Sequence, residues 1–419
     1  MPSEAAKKAR TWVTKWRSSE VRYAPSGGGL ARGTGDTGIY RSHLFGSPVI
    51  ITCSPEFNKQ ALCSLTEDGT LSSGWPSDKL LGSSSIAVVD GVLHKRLRKH
   101  LIDGFTSPKV LSVHLSIAQP VYISALENCI SKGKIVAYDE TKAMTFRNIC
   151  EALVSFKSEE LLETMECLYR GLMKGLRSLT INIPGTAYYH ALKCKRKLID
   201  ILLGEIRERN LQRVEKHDFL QFLMNSIGED GLKLEEVEVV EIIVMLILAS
   251  YETTSDVMTW GLYYLAKHPE ILEKVKVAEE LVRLANISPF IFRRVAKDDA
   301  VINGYKLPND WNVIVWIRSI HIDSKYYSDP LAFNPDRWTD FKPKLGTYSV
   351  FGAGPRHCPG SSYAKHQTNL ALVNFYGSLC AHLTRWELLN PDAGFAYQPH
   401  PRPRDGAKMT FCRADEDDL

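Results

Sequence analysis

The chain has 419 residues, 44% of them hydrophobic and 24% charged, a balance that supports a large buried core and excludes collagen-like, disordered and supercharged classes. A net charge of +4 over that length argues against nucleic acid as the main partner and leaves room only for a local basic docking face. Nine cysteines with no CxxC pair and no framework spacing indicate neither a zinc site nor a disulfide scaffold, and they fit a reducing compartment.

The first 25 residues are basic and hold no apolar stretch long enough for a signal peptide or a spanning helix, so the sequence as written carries no anchor helix. Residues 26–36 are Gly-rich, without the spacing that cradles phosphates, and read as a linker. This divides the chain into a segment 1–36 and one domain over 37–419. β-Branched and aromatic residues around the Gly46-Ser47-Pro48 turn predict a hairpin. From Pro55 to Lys267 the pattern is helical, with breaks at Gly74-Trp75-Pro76, Thr106-Ser107-Pro108, Pro184-Gly185 and Gly228 to Gly231. Its last part, Leu232 to Lys267, predicts one long central helix with acidic residues early and a Lys-His-Pro stop. Strand and turn character follows over Phe290 to Val315, including a turn at Asn303-Gly304. A Pro-rich irregular stretch then runs over Pro330 to Phe351, and a last helix over Ser361 to Leu383. The expected class is mainly α with a minor β part.

The segment Phe351 to Gly360 concentrates the chemistry. Gly352 and Gly354 before Cys358, and Gly360 after it, let the backbone pass close to a flat ligand. Gly360 also opens a helix whose N-terminal dipole favours a thiolate, which predicts Cys358 as an anion. These residues resemble the cysteine loop of the cytochrome P450 superfamily, Phe-x-x-Gly-x-Arg-x-Cys-x-Gly, at Phe351, Gly354, Arg356, Cys358 and Gly360.

That resemblance implies the family fold, with a long central helix over a haem and small β-sheets. It implies haem b held through the Cys358 thiolate, whose electron donation promotes cleavage of the O–O bond of dioxygen. Arg356, His94, Arg98 and Arg293 are implied as contacts of the haem propionates. On the long helix Ala249 to Thr254 resembles the oxygen-activation motif, so Glu252 and Thr253 become the acid and relay candidates, with Ser250 where a glycine is usual. Glu280, Arg283 and Arg337 match a Glu-x-x-Arg pair that locks onto the arginine of a Pro-rich meander.

Within the superfamily the pattern narrows to plant terpenoid and steroid oxidases and resembles the ent-kaurenoic acid oxidases of gibberellin biosynthesis. The similar stretches include Asn182 to Gly185, Val315 to Ser319 and His400-Pro401-Arg402-Pro403-Arg404-Asp405. The resemblance implies a monooxygenase that takes a small apolar terpenoid, dioxygen and electrons from NADPH through an NADPH-cytochrome reductase. It also implies the cytosolic face of the endoplasmic reticulum membrane. The alternatives are an oxidase of abscisic acid or brassinosteroid type, a haem-thiolate isomerase or dehydratase, and a catalytically impaired haem-binding remnant. Two departures motivate the last: the stretch before Glu280 is shorter than the family pattern by roughly thirty residues, and the amino terminus lacks the anchor.

Overall fold

A computed structural model describes residues 32–33, 38–44, 47–75, 77–105, 108–228, 231–268, 277–302, 305–340, 342–344, 346–380, 385–396 and 400–412. The Gly-rich linker other than residues 32–33, the Asn303-Gly304 turn, Pro76 and most of the short stretch before Glu280 lie outside the described residues.

The hairpin forms where the sequence expects it. Short strand β1 (Arg32–Gly33) pairs with β2 (Ile39–Leu44), and β2 runs antiparallel to β3 (Ser47–Thr52), with Ile39 opposite Thr52 and Leu44 opposite Ser47. Two further strands interrupt the stretch read as helical, β4 (Leu71–Ser73) and β5 (Lys134–Val136). Both are three residues long, too short to display a period of two against a helical background. After them come β6 (Phe290–Val295), the small pair β7 (Val301–Ile302) and β8 (Tyr305–Lys306), and β9 (Asn312–Trp316). The last are β10 (Arg385–Leu388), β11 (Phe395–Ala396), β12 (Arg402–Pro403) and β13 (Lys408–Cys412), which the sequence reading did not anticipate. One sheet has the order β1-β2-β3-β9-β6-β4, with β3 and β9 parallel and its other pairs antiparallel. A second, β10-β13-β5, ties residues near the carboxyl end to the middle of the chain.

The principal helices are α1 (Pro55–Leu62), α2 (Gly91–Phe105), α3 (Pro108–Lys132), α4 (Ala137–Val154), α5 (Glu159–Leu176), α6 (Ala187–Gln212), α7 (Phe219–Asn225), α8 (Glu236–Lys267), α9 (Val277–Ala285) and α10 (Ser361–Cys380). Their starts follow local chemistry. Ser54 caps α1 ahead of Pro55, Thr186 accepts from the Tyr189 N–H at the start of α6, and Asp218 accepts from Gln221 at the start of α7.

The long helix is α8, 32 residues and about 48 Å at 1.5 Å per residue. It begins at Glu236, not at Leu232 as the sequence suggests. Glu235 and Glu238 form a reciprocal capping box, while Lys233 bridges to Ile227 and the Leu232 carbonyl accepts from the Gly228 N–H at 2.8 Å. α8 packs against α4, α6, α9 and α10 and is buried nearly all round. Its amino half, Val239 to Tyr251, belongs to one apolar core with α2, α4, α5 and α6. Its carboxyl half, Val257 to Leu265, belongs to a second with α3, α9, α10 and β13. The polar run Glu252-Thr253-Thr254-Ser255-Asp256 is the seam between them. The whole is mainly α with small sheets, in accord with the sequence reading.

Candidate active site

The cysteine loop enters through a short 3-10 turn, Gly354–Arg356, and leaves into α10. Gly354 has φ +65°, and a Cβ there would lie 2.2 Å from the Leu62 carbonyl oxygen, so only glycine lets this loop seat on the end of α1. The Cys358 N–H donates to the Phe351 carbonyl at 2.8 Å, closing the loop on itself, while Ala364 N–H donates to Gly360 to start α10. Phe351 is half-buried under the Lys365 ammonium, 5.6 Å from its ring centre. Cys358 lies deep in the fold yet keeps accessible surface, which places open space beside it.

Burial pushes the Cys358 thiol above its ordinary value, and this outweighs the Gly360 N–H and the Arg98 charge that pull it down. A coordinated metal removes such a proton outright.

Arg98 is half-buried on α2 near the sulfur, and desolvation holds its pKa below the usual guanidinium value. Among the described residues it makes no hydrogen bond or ion pair. His94 lies one turn earlier, buried, and desolvation together with the Arg356 and Arg98 charges brings its pKa down to about 4, so it is neutral at pH 7. Arg293 projects from the inner face of β6. Burial and the Arg356 charge lower it to about 10, and it donates to Thr66 Oγ1 at 3.3 Å and the Phe292 carbonyl at 2.8 Å. Arg356 donates to the Ile86 carbonyl at 3.2 Å, the Val89 carbonyl, and Asp90 Oδ1 at 2.5 Å. Asp90 is the partner that sequence reasoning missed; an acid just before α2 gave no spacing signal.

Three arginines against one carboxylate leave this region two positive charges in surplus, with His94 neutral. Partly desolvated cations that repel one another are costly without a matching anion. A haem offers two propionates for that surplus and an iron for the thiol, so the donor set fits the group that family members carry.

On α8 the two relay candidates face different surroundings. Thr253 is half-exposed and donates to the Ala249 carbonyl at 2.7 Å. With exposed Ala249 and half-exposed Met245 and Ser250 it forms an open stripe on the stretch Val239 to Tyr263, whose other residues are buried. Glu252 is 2% exposed and turned into protein, where it accepts from Lys142 Nζ at 2.8 Å and Arg177 Nη2 at 3.2 Å. Those two cations hold its carboxyl below the usual range against the opposing effect of burial. Neither Lys142 nor Arg177 shows a motif in the sequence, because both meet Glu252 only through helix packing.

Glu280 and Arg283 on α9 are fully buried and paired twice, at 2.9 and 2.6 Å. Glu280 also accepts from Trp338 Nε1 at 2.9 Å, Asn334 N–H at 3.1 Å and Arg337 Nε at 3.4 Å. Arg283 donates on to the carbonyls of His321 and Pro330 at 2.7 and 2.8 Å, and Arg337 to those of Ser328 and Asp329. The meander 328–338 that precedes the cysteine loop is thereby fixed to α9.

Residues 36–278 and 275–376 match the cytochrome P450 family. A 7,8-epoxymelianol synthase of Ailanthus altissima is 34% identical over 88% of this chain and 80% of its own length. The ent-kaurenoic acid oxidase 2 of Arabidopsis thaliana is 30% identical over 90% and 83%. Among solved structures, the retinoic acid-bound cyanobacterial CYP120A1 superposes with a TM-score of 0.81 at 24% identity, covering 89% of this chain and 91% of that one, and so bears on the fold. With matched stretches spanning most of its length and, near the cysteine of its loop, a set of arginines in surplus over carboxylates, this chain belongs to the cytochrome P450 family of haem-thiolate monooxygenases.

Proposed function

We propose that the protein oxidises a terpenoid carboxylic acid, ent-kaurenoic acid, using haem b bound through Cys358, dioxygen, and electrons passed from NADPH by a reductase. Haem supplies activation of dioxygen for insertion into an unactivated C–H bond. Arg98, Arg293 and Arg356 neutralise its propionates beside neutral His94, Gly360 and Phe351 shape the loop around the sulfur, and Thr253 on the open stripe of α8 hands protons inward from Glu252. Glu280, Arg283 and Arg337 hold the meander that sets the cysteine loop. Residues 37–419 act as one haem-binding unit at the cytosolic face of the endoplasmic reticulum membrane, although among the described residues no helix is long and apolar enough to cross a membrane.

The observation that carries this reading is the surplus of cationic charge around a deep, accessible cysteine. The substrate class is supported by the relatives: ent-kaurenoic acid oxidases of Arabidopsis thaliana and rice at 30 and 31% identity. The β-amyrin 11-oxidase of Glycyrrhiza uralensis at 30% makes a larger terpenoid the second substrate to test. The test is a reduced carbon monoxide difference spectrum followed by reductase-supported turnover of ent-kaurenoic acid and β-amyrin. A red-shifted thiolate band with oxidised ent-kaurenoic acid is expected. The band with β-amyrin product alone transfers the assignment, and absence of the band after haem loading overturns the site.

A further inference from the structure

The motif His400 to Asp405 plays no part in the site described above, yet its first three residues are seated one after another on α8 and the neighbouring α4, His400 at the polar seam. His400 Nδ1 lies 2.6 Å from Asp256 Oδ2. The Pro401 carbonyl accepts from Trp260 Nε1 at 2.8 Å, and Arg402 Nη1 donates to Tyr138 Oη at 3.0 Å while its guanidinium stacks over that ring at 4.6 Å. Asp256 is one turn after Glu252 and fully buried, and its second oxygen, Oδ1, has no partner. Ligand atoms of Glu252, Asp256 and His400 all lie within 4.8 Å of one another. The His400 side chain is 17% exposed against 0% for Asp256 and 3% for Glu252, so of these three it is the one that reaches solvent.

Such a trio has the spacing of a metal site, but its charge argues otherwise. Glu252 is already neutralised by Lys142 and Arg177, so a divalent ion would add two charges to a balanced, desolvated cluster. A separation of up to 4.8 Å between two carboxylates, with one oxygen orphaned, suits a single bridging water.

We infer that His400 and Asp256 are the solvent-side entry of the proton path that ends at Glu252 and Thr253. This rests on the reading of Thr253 as the inner donor. His400 takes a proton from bulk water at Nε2 and, with both ring nitrogens then protonated, releases the Nδ1 proton to the Asp256 carboxylate at Oδ2. Asp256 turns its carboxyl and gives that proton through the bridging water to the Glu252 carboxylate, which leaves Asp256 ionised again, and tautomer exchange of His400 through water restores its Nδ1–H for the next transfer. No other bond forms or breaks. The groups facing this pair are Glu252 and Tyr251 on α8, Tyr138 and Lys142 on α4, Arg177 after α5, and Arg402 beside His400. Asp256 and His400 are positioning residues that act through Glu252, and their loss alters proton supply rather than haem binding.

The test compares His400→Asn, Asp256→Asn, Thr253→Ala and Trp260→Phe in the haem-loaded full chain, with ent-kaurenoic acid and β-amyrin as probes. The reading is hydrogen peroxide released per NADPH, which needs no identified product. His400→Asn and Asp256→Asn are expected to raise that ratio several-fold, lower turnover about ten-fold and enlarge the solvent deuterium isotope effect, with the thiolate carbon monoxide band unchanged. Trp260→Phe, which loosens the same seat without removing a titratable group, is expected to leave the ratio unchanged. Independently of turnover, the ring 15N spectrum of His400 should show a low-field Nδ1–H that Asp256→Asn abolishes. If Thr253→Ala uncouples and His400→Asn does not, the entry path is wrong and the inner site stands; if neither uncouples, both fall. Equal uncoupling by Trp260→Phe, or absence of the Nδ1–H, makes the pair a clamp and overturns the proposal.

Discussion

Cys358 and the cations near it carry opposite electrostatic problems that one ligand resolves. Desolvation of the sulfur outweighs the Arg98 charge that favours its anion, and the three partly buried arginines have too few carboxylates to match them. Replacing Arg98 by Ala removes the one of these three arginines that has no hydrogen-bond partner among the described residues, so haem retention should fall while the fold persists. Haem content per protein after gel filtration checks this, and full retention would contradict the pairing. Cys358 and Arg356 were marked in the sequence by the resemblance of their loop to that of the family. Asp90, Lys142 and Arg177 were not, because their partners are distant in sequence and nothing in a local window marks a carboxylate that will meet a guanidinium across the fold.

Two buried histidines away from the cations set an acid limit at the same scale. Burial lowers His114 to about 4, and burial with the Arg283 charge lowers His321 to about 3. Both values lie below the ordinary 6.5, so between those values and 6.5 the unfolded chain binds more protons than the folded one. The stability each contributes is full above about pH 6.5 and is lost as pH falls, at about 1.4 kcal/mol per pH unit per histidine. Urea midpoints should therefore drop steeply from pH 6.5 to 4.5, and His114→Phe should flatten that slope by one proton.

At the scale of elements, α9 is nine residues long and holds the meander through one carboxylate. Glu280→Ala strands Arg283, Trp338 Nε1 and the Asn334 N–H together, and breaking a buried pair of this kind costs about 3–5 kcal/mol. The variant should lose haem and melt early, whereas Glu235→Ala at the cap of α8 should cost about 1 kcal/mol and leave the haem spectrum intact. Paired thermal melts and difference spectra separate the two. The long helices were readable because periodicity accumulates over many turns. Strands β4, β5 and β10 to β13 were not, since segments of two to five residues are fixed by the partner they pair with and not by their own pattern.

For the molecule as a whole, α8 is a strut shared by two apolar cores that meet at a polar seam. The sequence showed the strut as an apolar run and its motif as a resemblance, but not that the motif falls where one core ends and the other begins. The family match also breaks at residues 275–278, beside the link between α8 and α9.

The pairing of β13 with β5 joins Lys408 to Val136 and Thr410 to Lys134, across about 270 residues of chain. During translation, at about 5–20 residues per second, α3 and α4 emerge long before the strand that covers them. A ribosome-bound nascent chain therefore cannot close this sheet until about 270 residues beyond β5 have been made, and a stop codon before residue 408 would leave β5 without its partner and yield an unclosed, apolar intermediate destined for chaperones and proteases.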